Sequence, residues 1–298
     1  MKKVLTIILT LFAILSVQAT RRALVIGIGP YPQNSGWDTI TGDLDIPIVE
    51  EMLLINGFEK QHIVKLKNEQ ATCAAICQEL ENLIAQSELG DIVYIQFSGH
   101  GQQITDLNGD ETDDGLDEAW IPYDAPLEIV EGIYEGENHL VDDQINFYLH
   151  RLRQRIGADG KIVVIADACH SGGSTRGEDD VVIRGTDKKF TITNIQQAIS
   201  RFTSMLSQVV SRSHITTPQP TALEWVVISA CKDYQFNQEY NGRGSLTTAL
   251  YQNRKLFGTQ SIQDVFNNIR TFYLNASLRY TQNPVLEVGN GNKENVFL

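Results

Sequence analysis

From residue 20 onward the chain alternates between two spacings of apolar residue. RALVIGI (22–28), HIVKLK (62–67), DIVYIQFS (91–98), KIVVIADA (161–168) and LEWVVISA (223–230) are short runs rich in β-branched and aromatic residues. Such runs predict strands. Between and after them lie IPIVEEMLLINGF (46–58), QATCAAICQELENLIAQSELG (70–90), DDQINFYLHRLRQRI (142–156) and ITNIQQAISRFTSMLSQVV (192–210). SLTTALYQN (245–253) and SIQDVFNNIRTFYL (261–274) follow near the end. Their apolar residues recur every three to four positions, which predicts helices, and Asn56-Gly57 supplies a stop for the first. Strands apolar on both faces and separated by helices predict an α/β fold: a three-layer sandwich with a mostly parallel central sheet and helices on both faces.

In such sheets ligands bind beyond the carboxyl ends of the strands. Three strand ends carry polar chemistry: FSGHG (97–101), ADACHSGG (166–173) and ISACKD (228–233). Three segments break the regular pattern. DLNGDETDDGLDE (106–118) is acidic and contains glycine, residues 174–190 mix charges and glycines and read as a mobile surface loop, and TTPQP (216–220) precedes the last strong strand.

Cys169 at the tip of KIVVIADA is either a small core residue or a nucleophile. A thiol attacks a carbonyl as thiolate and needs a base nearby. His170 is adjacent in sequence, but neighbouring strand residues point to opposite faces. His100, at the tip of DIVYIQFS and between Gly99 and Gly101, is better sited. Asp167 and Cys169 are two apart, as are Ser98 and His100, so in strand geometry each pair shares a face. Asp167 and Ser98 then line the floor of one cleft. A carboxylate there suits a basic substrate group; its structural alternative is capping the following turn.

Length and composition set the frame. The 298 residues, 42% hydrophobic and 8% aromatic, suit one large domain or two small ones. Lys2 and Lys3, the apolar run VLTIILTLFAILSV and the small-x-small pattern Val17-Gln18-Ala19 form the layout of a secretory signal over residues 1–19. The mature chain is then expected to be exported, periplasmic or extracellular, with no other segment fit to cross a bilayer; a retained anchor is the alternative. Loss of the two leader lysines takes the net charge from −13 to −15. A chain this acidic repels nucleic acid and anionic lipid, and attracts cationic peptides and divalent ions. Cys73 and Cys77, one helical turn apart, lack a second Cys/His pair at metal-site spacing and read as ordinary core or surface residues.

SGHG (98–101), DACHSGG (167–173) and ISAC (228–231), in this order and on these strands, resemble the caspase-like cysteine peptidases, in particular the bacterial form of the metacaspases. The resemblance runs from about Arg22 to about Asn253. It implies the caspase-type sandwich, with a larger segment of about 20–185, a linker of about 174–190 and a smaller segment of about 191–298. It implies His100 as general base and later acid, Cys169 as nucleophile, and the backbone N–H groups of Cys169 and Gly101 as oxyanion donors. It assigns Asp167, Ser98 and, through TGDLDIP (41–47), Asp45 to a pocket for the residue before the scissile bond, hence cleavage of peptide or protein substrates after arginine or lysine. It also implies calcium as an activator, through Asp117 of GLDEAW and the pair Asp142-Asp143, with Glu178, Asp179 and Asp180 near the position of a fourth ligand. Relatives cut themselves after the nucleophile, which makes Arg176, Arg184, Lys188 and Lys189 candidate self-processing sites. The rival readings are a related peptidase with another preference before the scissile bond, and a silent binding or signalling module with this fold. A dinucleotide enzyme is disfavoured because GIGPYP (27–32) lacks the third glycine of that fingerprint. A serine hydrolase would need a G-x-S-x-G turn.

Overall fold

The computed structural model describes residues 19–109, 111, 114–169, 181–192, 224–232, 234–289 and 295–298. The expected signal segment, save Ala19, and nearly all of the expected helix 192–210 lie outside them, as do Arg176 and the acids Glu178, Asp179 and Asp180.

The central sheet is built from β1 (Arg21–Gly27), β2 (Ile63–Lys67), β3 (Ile92–Ser98), β7 (Lys161–Asp167), β8 (Val226–Ser229) and β9 (Val285–Val288), in the order β2-β1-β3-β7-β8-β9. All neighbours run parallel except β8 and β9. A small antiparallel sheet holds β4 (Gly101–Thr105), β5 (Leu116–Trp120) and β6 (Leu140–Val141). The helices are α1 (Ile46–Ile55), α2 (Cys73–Gln86), α3 (Asp142–Ile156), α4 (Ser245–Asn253) and α5 (Ile262–Asn275).

The period of two sorts the strand residues into two cores. Leu24, Ile26, Val93, Ile95, Phe97, Ile162 and Val164 pack with Ile76, Leu80 and Leu83 of α2 and Ile145 and Leu149 of α3. Ala23, Val25, Tyr94, Val163 and Ile165 pack with Val49 and Met52 of α1, Leu246 and Leu250 of α4, and Val265 and Ile269 of α5. The three-layer sandwich expected from the pattern is the fold observed. Local signals agree: the Thr72 hydroxyl accepts from Ala75 N–H at 3.2 Å to open α2, and Gly57, at φ +82°, follows the end of α1.

Two differences have simple causes. The acidic stretch 106–118 was expected to be irregular, yet its end enters β5, because residues 116–120 pair with β4 and Ala119 and Trp120 are buried. The described part of the linker is not a plain surface loop: Arg184 and Phe190 are buried, one by ion pairs and the other against Tyr134 and His139. Among the described residues no helix is long and apolar enough to cross a membrane.

Candidate active site

The tips of β3 and β7 lie side by side, with Ser98 opposite Asp167 in the parallel register. Both are buried, and both face α4: Gln96 donates to Ser98 Oγ at 3.2 Å and to Thr247 Oγ1 at 2.8 Å, and Thr247 donates to Asp167. Just beyond these tips, Gly101 abuts Cys169. A Cβ built on Gly101 would stand 2.6 Å from the Cys169 carbonyl oxygen, so glycine is what lets the two tips close together.

His100 is held on three sides. Its ring stacks on Trp37 with centroids 4.7 Å apart and leans on Tyr31 at 5.1 Å, while its backbone N–H donates to the Tyr31 hydroxyl at 3.0 Å. Nε2 is 2.9 Å from the carbonyl oxygen of Asp38. A carbonyl only accepts, so Nε2 carries the proton and Nδ1 presents its lone pair. Nδ1 is buried and has no hydrogen-bond partner among the described residues. Burial lowers the His100 pKa to about 4, which keeps the imidazole a neutral base at pH 7.

Cys169 is buried and its thiol donates to the carbonyl oxygen of Gln235 at 2.6 Å. Its backbone N–H donates to the carbonyl oxygen of Arg184 at 2.8 Å. The following Gly185 packs so tightly that a Cβ there would fall 2.3 Å from Cys169 O and 3.0 Å from Cys169 Cβ. Gly185 also lines, with His100 and Trp37, a cavity of about 450 Å³. The Arg184–Gly185 peptide bond therefore adjoins the two candidate catalytic residues.

The Arg184 side chain fills an acidic hollow and is fully buried. Nη1 donates to Asp45 Oδ2 at 2.7 Å and lies 3.7 Å from Asp167 Oδ1; Nε donates to Glu239 Oε1 at 3.2 Å. Burial alone would lower the guanidinium pKa, and the three carboxylates raise it instead. Asp45 is pushed up by burial, against the pull of Arg184. The hollow is shaped by two helix starts. Asp45 precedes α1, and the first turn of α4 gives Gly244 N–H to Asp45 at 3.1 Å and Thr247 N–H to Asp167 at 2.8 Å. Those N–H groups have no partner within their own helix, and carboxylates are favoured there. Asn237 donates to Asp167 at 2.8 Å. Residues 182–184 lie along 237–239 as an added antiparallel strand: Arg184 N–H donates to Asn237 O and Glu239 N–H to Val182 O, both at 2.9 Å.

The structure thus brings together His100, Gly101, Cys169, Asp45, Ser98 and Asp167. It adds Trp37, Asp38, Gln235, Glu239, Gly244 and Thr247, which the sequence reading missed. Glu239 and Thr247 follow the ISACKD strand end within two dozen residues, so extending the inspection of strand ends past the first turn would have reached them.

The expected metal residues fall in two places. Asp142 lies with Glu111 and Glu118, two residues not among those expected; each of the three offers a carboxylate oxygen, all within 4.8 Å of one another. These are hard oxygen donors, the kind that calcium takes. Asp117 and Asp143 line a separate cavity of about 260 Å³ together with His139 and Gln144, and the side chain of Asn108 donates to Asp143.

A model of the metacaspase peptidase C14 domain matches residues 21–176, more than half of the chain. This chain belongs to the metacaspase family. Metacaspases are cysteine peptidases, and so is this protein. The chain is 26% identical to Metacaspase-1B of Aspergillus fumigatus over 89% of its own length and 69% of that protein. It is 27% identical to Metacaspase-1A of Aspergillus niger, again over 89% and 69%. Over a shorter stretch, 51% of this metacaspase and 35% of the relative, it is 32% identical to Metacaspase-1A of Aspergillus oryzae. In three dimensions it is similar to a protein from Geobacter sulfurreducens whose crystal structure is known, with a TM-score of 0.60 and 20% identity over 90% of this chain and 92% of that one. That likeness concerns the fold alone.

Proposed function

We propose that this metacaspase cleaves peptide bonds after arginine or lysine, with Cys169 as nucleophile and His100 as base. One observation carries the reading: Arg184 sits in the hollow of Asp45, Asp167 and Glu239 while its carbonyl accepts from the Cys169 N–H. A substrate's basic side chain would take the place of Arg184. Its scissile carbonyl oxygen would accept the Cys169 N–H, with the Gly101 backbone beside it. His100 Nδ1 then takes the thiol proton, which rests on Gln235 O, and the thiolate sulfur attacks the carbonyl carbon. The tetrahedral intermediate collapses as the imidazolium returns the proton to the leaving amine. Water, activated by His100, frees the acyl group and restores the thiol. Asp38 and Trp37 fix the ring so that one nitrogen serves throughout.

In the same reading the protein cuts itself between Arg184 and Gly185, is exported after loss of residues 1–19, and is activated by calcium held at Glu111, Glu118 and Asp142. Calcium would contribute charge neutralisation at that surface, while proton transfer stays with His100.

A panel of fluorogenic peptides ending in Arg, Lys or Asp, with and without chelator, tests this against wild type, Cys169→Ala and His100→Ala. Turnover of the Arg and Lys reporters by wild type alone is expected. Preference for the Asp reporter would overturn the pocket assignment, and activity surviving in Cys169→Ala would overturn the dyad.

A further inference from the structure

We infer that Glu239 makes the pocket discriminate arginine from lysine. The inference rests on the reading of this hollow as the site for a basic residue before the scissile bond. Asp45 and Asp167 meet Arg184 at Nη1, the end of the guanidinium, where any cation of suitable reach would be attracted. Glu239 meets it elsewhere, at Nε, from the wall formed by the 237–239 strand.

Nε is the atom that distinguishes the two side chains. A lysine laid along the same path puts a methylene where arginine has its Nε–H, and ends in its ammonium where arginine has Cζ. The Glu239 side chain is only 4% exposed, so water cannot readily replace the missing donor. Glu239 Oε1 keeps a bond from Thr41 N–H at 2.6 Å, which holds the carboxylate in place whatever occupies the pocket. Lysine therefore faces a fixed, buried carboxylate oxygen with a carbon, and forfeits a charge-assisted hydrogen bond. Nη2 of Arg184 has no hydrogen-bond partner among the described residues, so the discrimination falls on Nε and Nη1. A lost bond to a buried charged group corresponds to about ten- to hundredfold in kcat/KM.

The experiment measures kcat/KM for two reporters differing only in Arg or Lys before the scissile bond. Wild type, Glu239→Ala and Glu239→Gln are compared as self-processed proteins and in the Arg184→Ala background, where no tethered guanidinium competes. Wild type is expected to favour Arg by about tenfold or more. Glu239→Ala should bring the ratio to within about threefold by lowering the Arg value far more than the Lys value, which loses only the general attraction of a nearby charge; Glu239→Gln, which keeps an acceptor oxygen, should fall between. Equal losses on both reporters, an unchanged ratio, or a wild type that favours Lys would each overturn the inference. If Glu239→Ala fails to fold by circular dichroism, the ratio in Glu239→Gln decides. Wild type that cleaves neither reporter would refute the basic-pocket reading itself.

Discussion

The backbone N–H of Cys169 points at the carbonyl oxygen of Arg184, 2.8 Å away. The bond joins the candidate nucleophile to a residue fifteen positions later in the same chain, whose side chain lies in the acidic hollow beside it. Three contacts then act on one residue at once: the oxyanion-type bond, the guanidinium cluster and the strand pairing with 237–239.

That arrangement makes Arg184 the self-cleavage site to test among the basic residues of the linker. Incubated wild type should release a fragment beginning at Gly185, seen by mass spectrometry, and Arg184→Ala should abolish it. Lys188→Ala should leave it, because Lys188 reaches out to Glu128 at the surface. A fragment appearing equally in Cys169→Ala would show that another protease made it.

Gly185 should matter independently of charge. A methyl at its Cβ would press on the Cys169 carbonyl, which is backbone and cannot swing away. Gly185→Ala is expected to slow self-cleavage by about tenfold or more, equivalent to at least about 1.4 kcal/mol. A gel time course checks it; an unchanged rate would mean the linker docks differently in the reacting form.

Asp45→Asn should lower kcat/KM on Arg reporters by about ten- to hundredfold, chiefly through KM. Oδ1 of Asp45 accepts the Gly244 N–H and Oδ2 accepts Arg184 Nη1. An amide can satisfy one of these and must set its NH2 against the other donor. Steady-state kinetics with a melting curve separates this from a loss of fold.

Acid should destabilise the protein through two histidines. Burial holds His100 at about 4 and His139 at about 3. In the unfolded chain both titrate near 6.5, so below that pH the unfolded state takes up protons that the native state refuses. Stability is full above pH 6.5 and falls as pH drops toward the folded values, by up to about 2 kcal/mol per histidine at pH 5. Asp45, whose pKa burial raises, works in the opposite sense. Melting curves from pH 7 to 4.5 should show this loss, and His139→Gln should flatten it.

Calcium binding makes its own prediction. Added calcium should raise the melting temperature of wild type, and Glu118→Gln or Asp142→Asn should remove most of that rise. A full rise in both variants would place the ion elsewhere.

Much of this site could be read from spacing. Strands 22–28, 91–98 and 161–168 have nearly their observed limits, because runs apolar on both faces can only be central strands. The parallel register then makes the two-residue offsets meaningful: Ser98 opposes Asp167, so the residues two further on share an edge. What could not be read depends on contacts distant in sequence. Asp38 matters to His100 through a carbonyl, a group every residue has. Glu239 reaches the pocket only because β8 lies beside β7 and the chain doubles back. Arg184 looked like one more charged residue among several; only the convergence of three carboxylates separates it from Lys188 and Lys189.

The acidic hollow is assembled from both sides of the linker: Asp45 and Asp167 come before it, Glu239, Gly244 and Thr247 after it, and β8 is stitched between β7 and β9 within one sheet. Severing the backbone after Arg184 would thus yield two polypeptides but still one particle. Neither piece could carry the specificity away by itself, and the half that departed would leave the other with an exposed sheet edge.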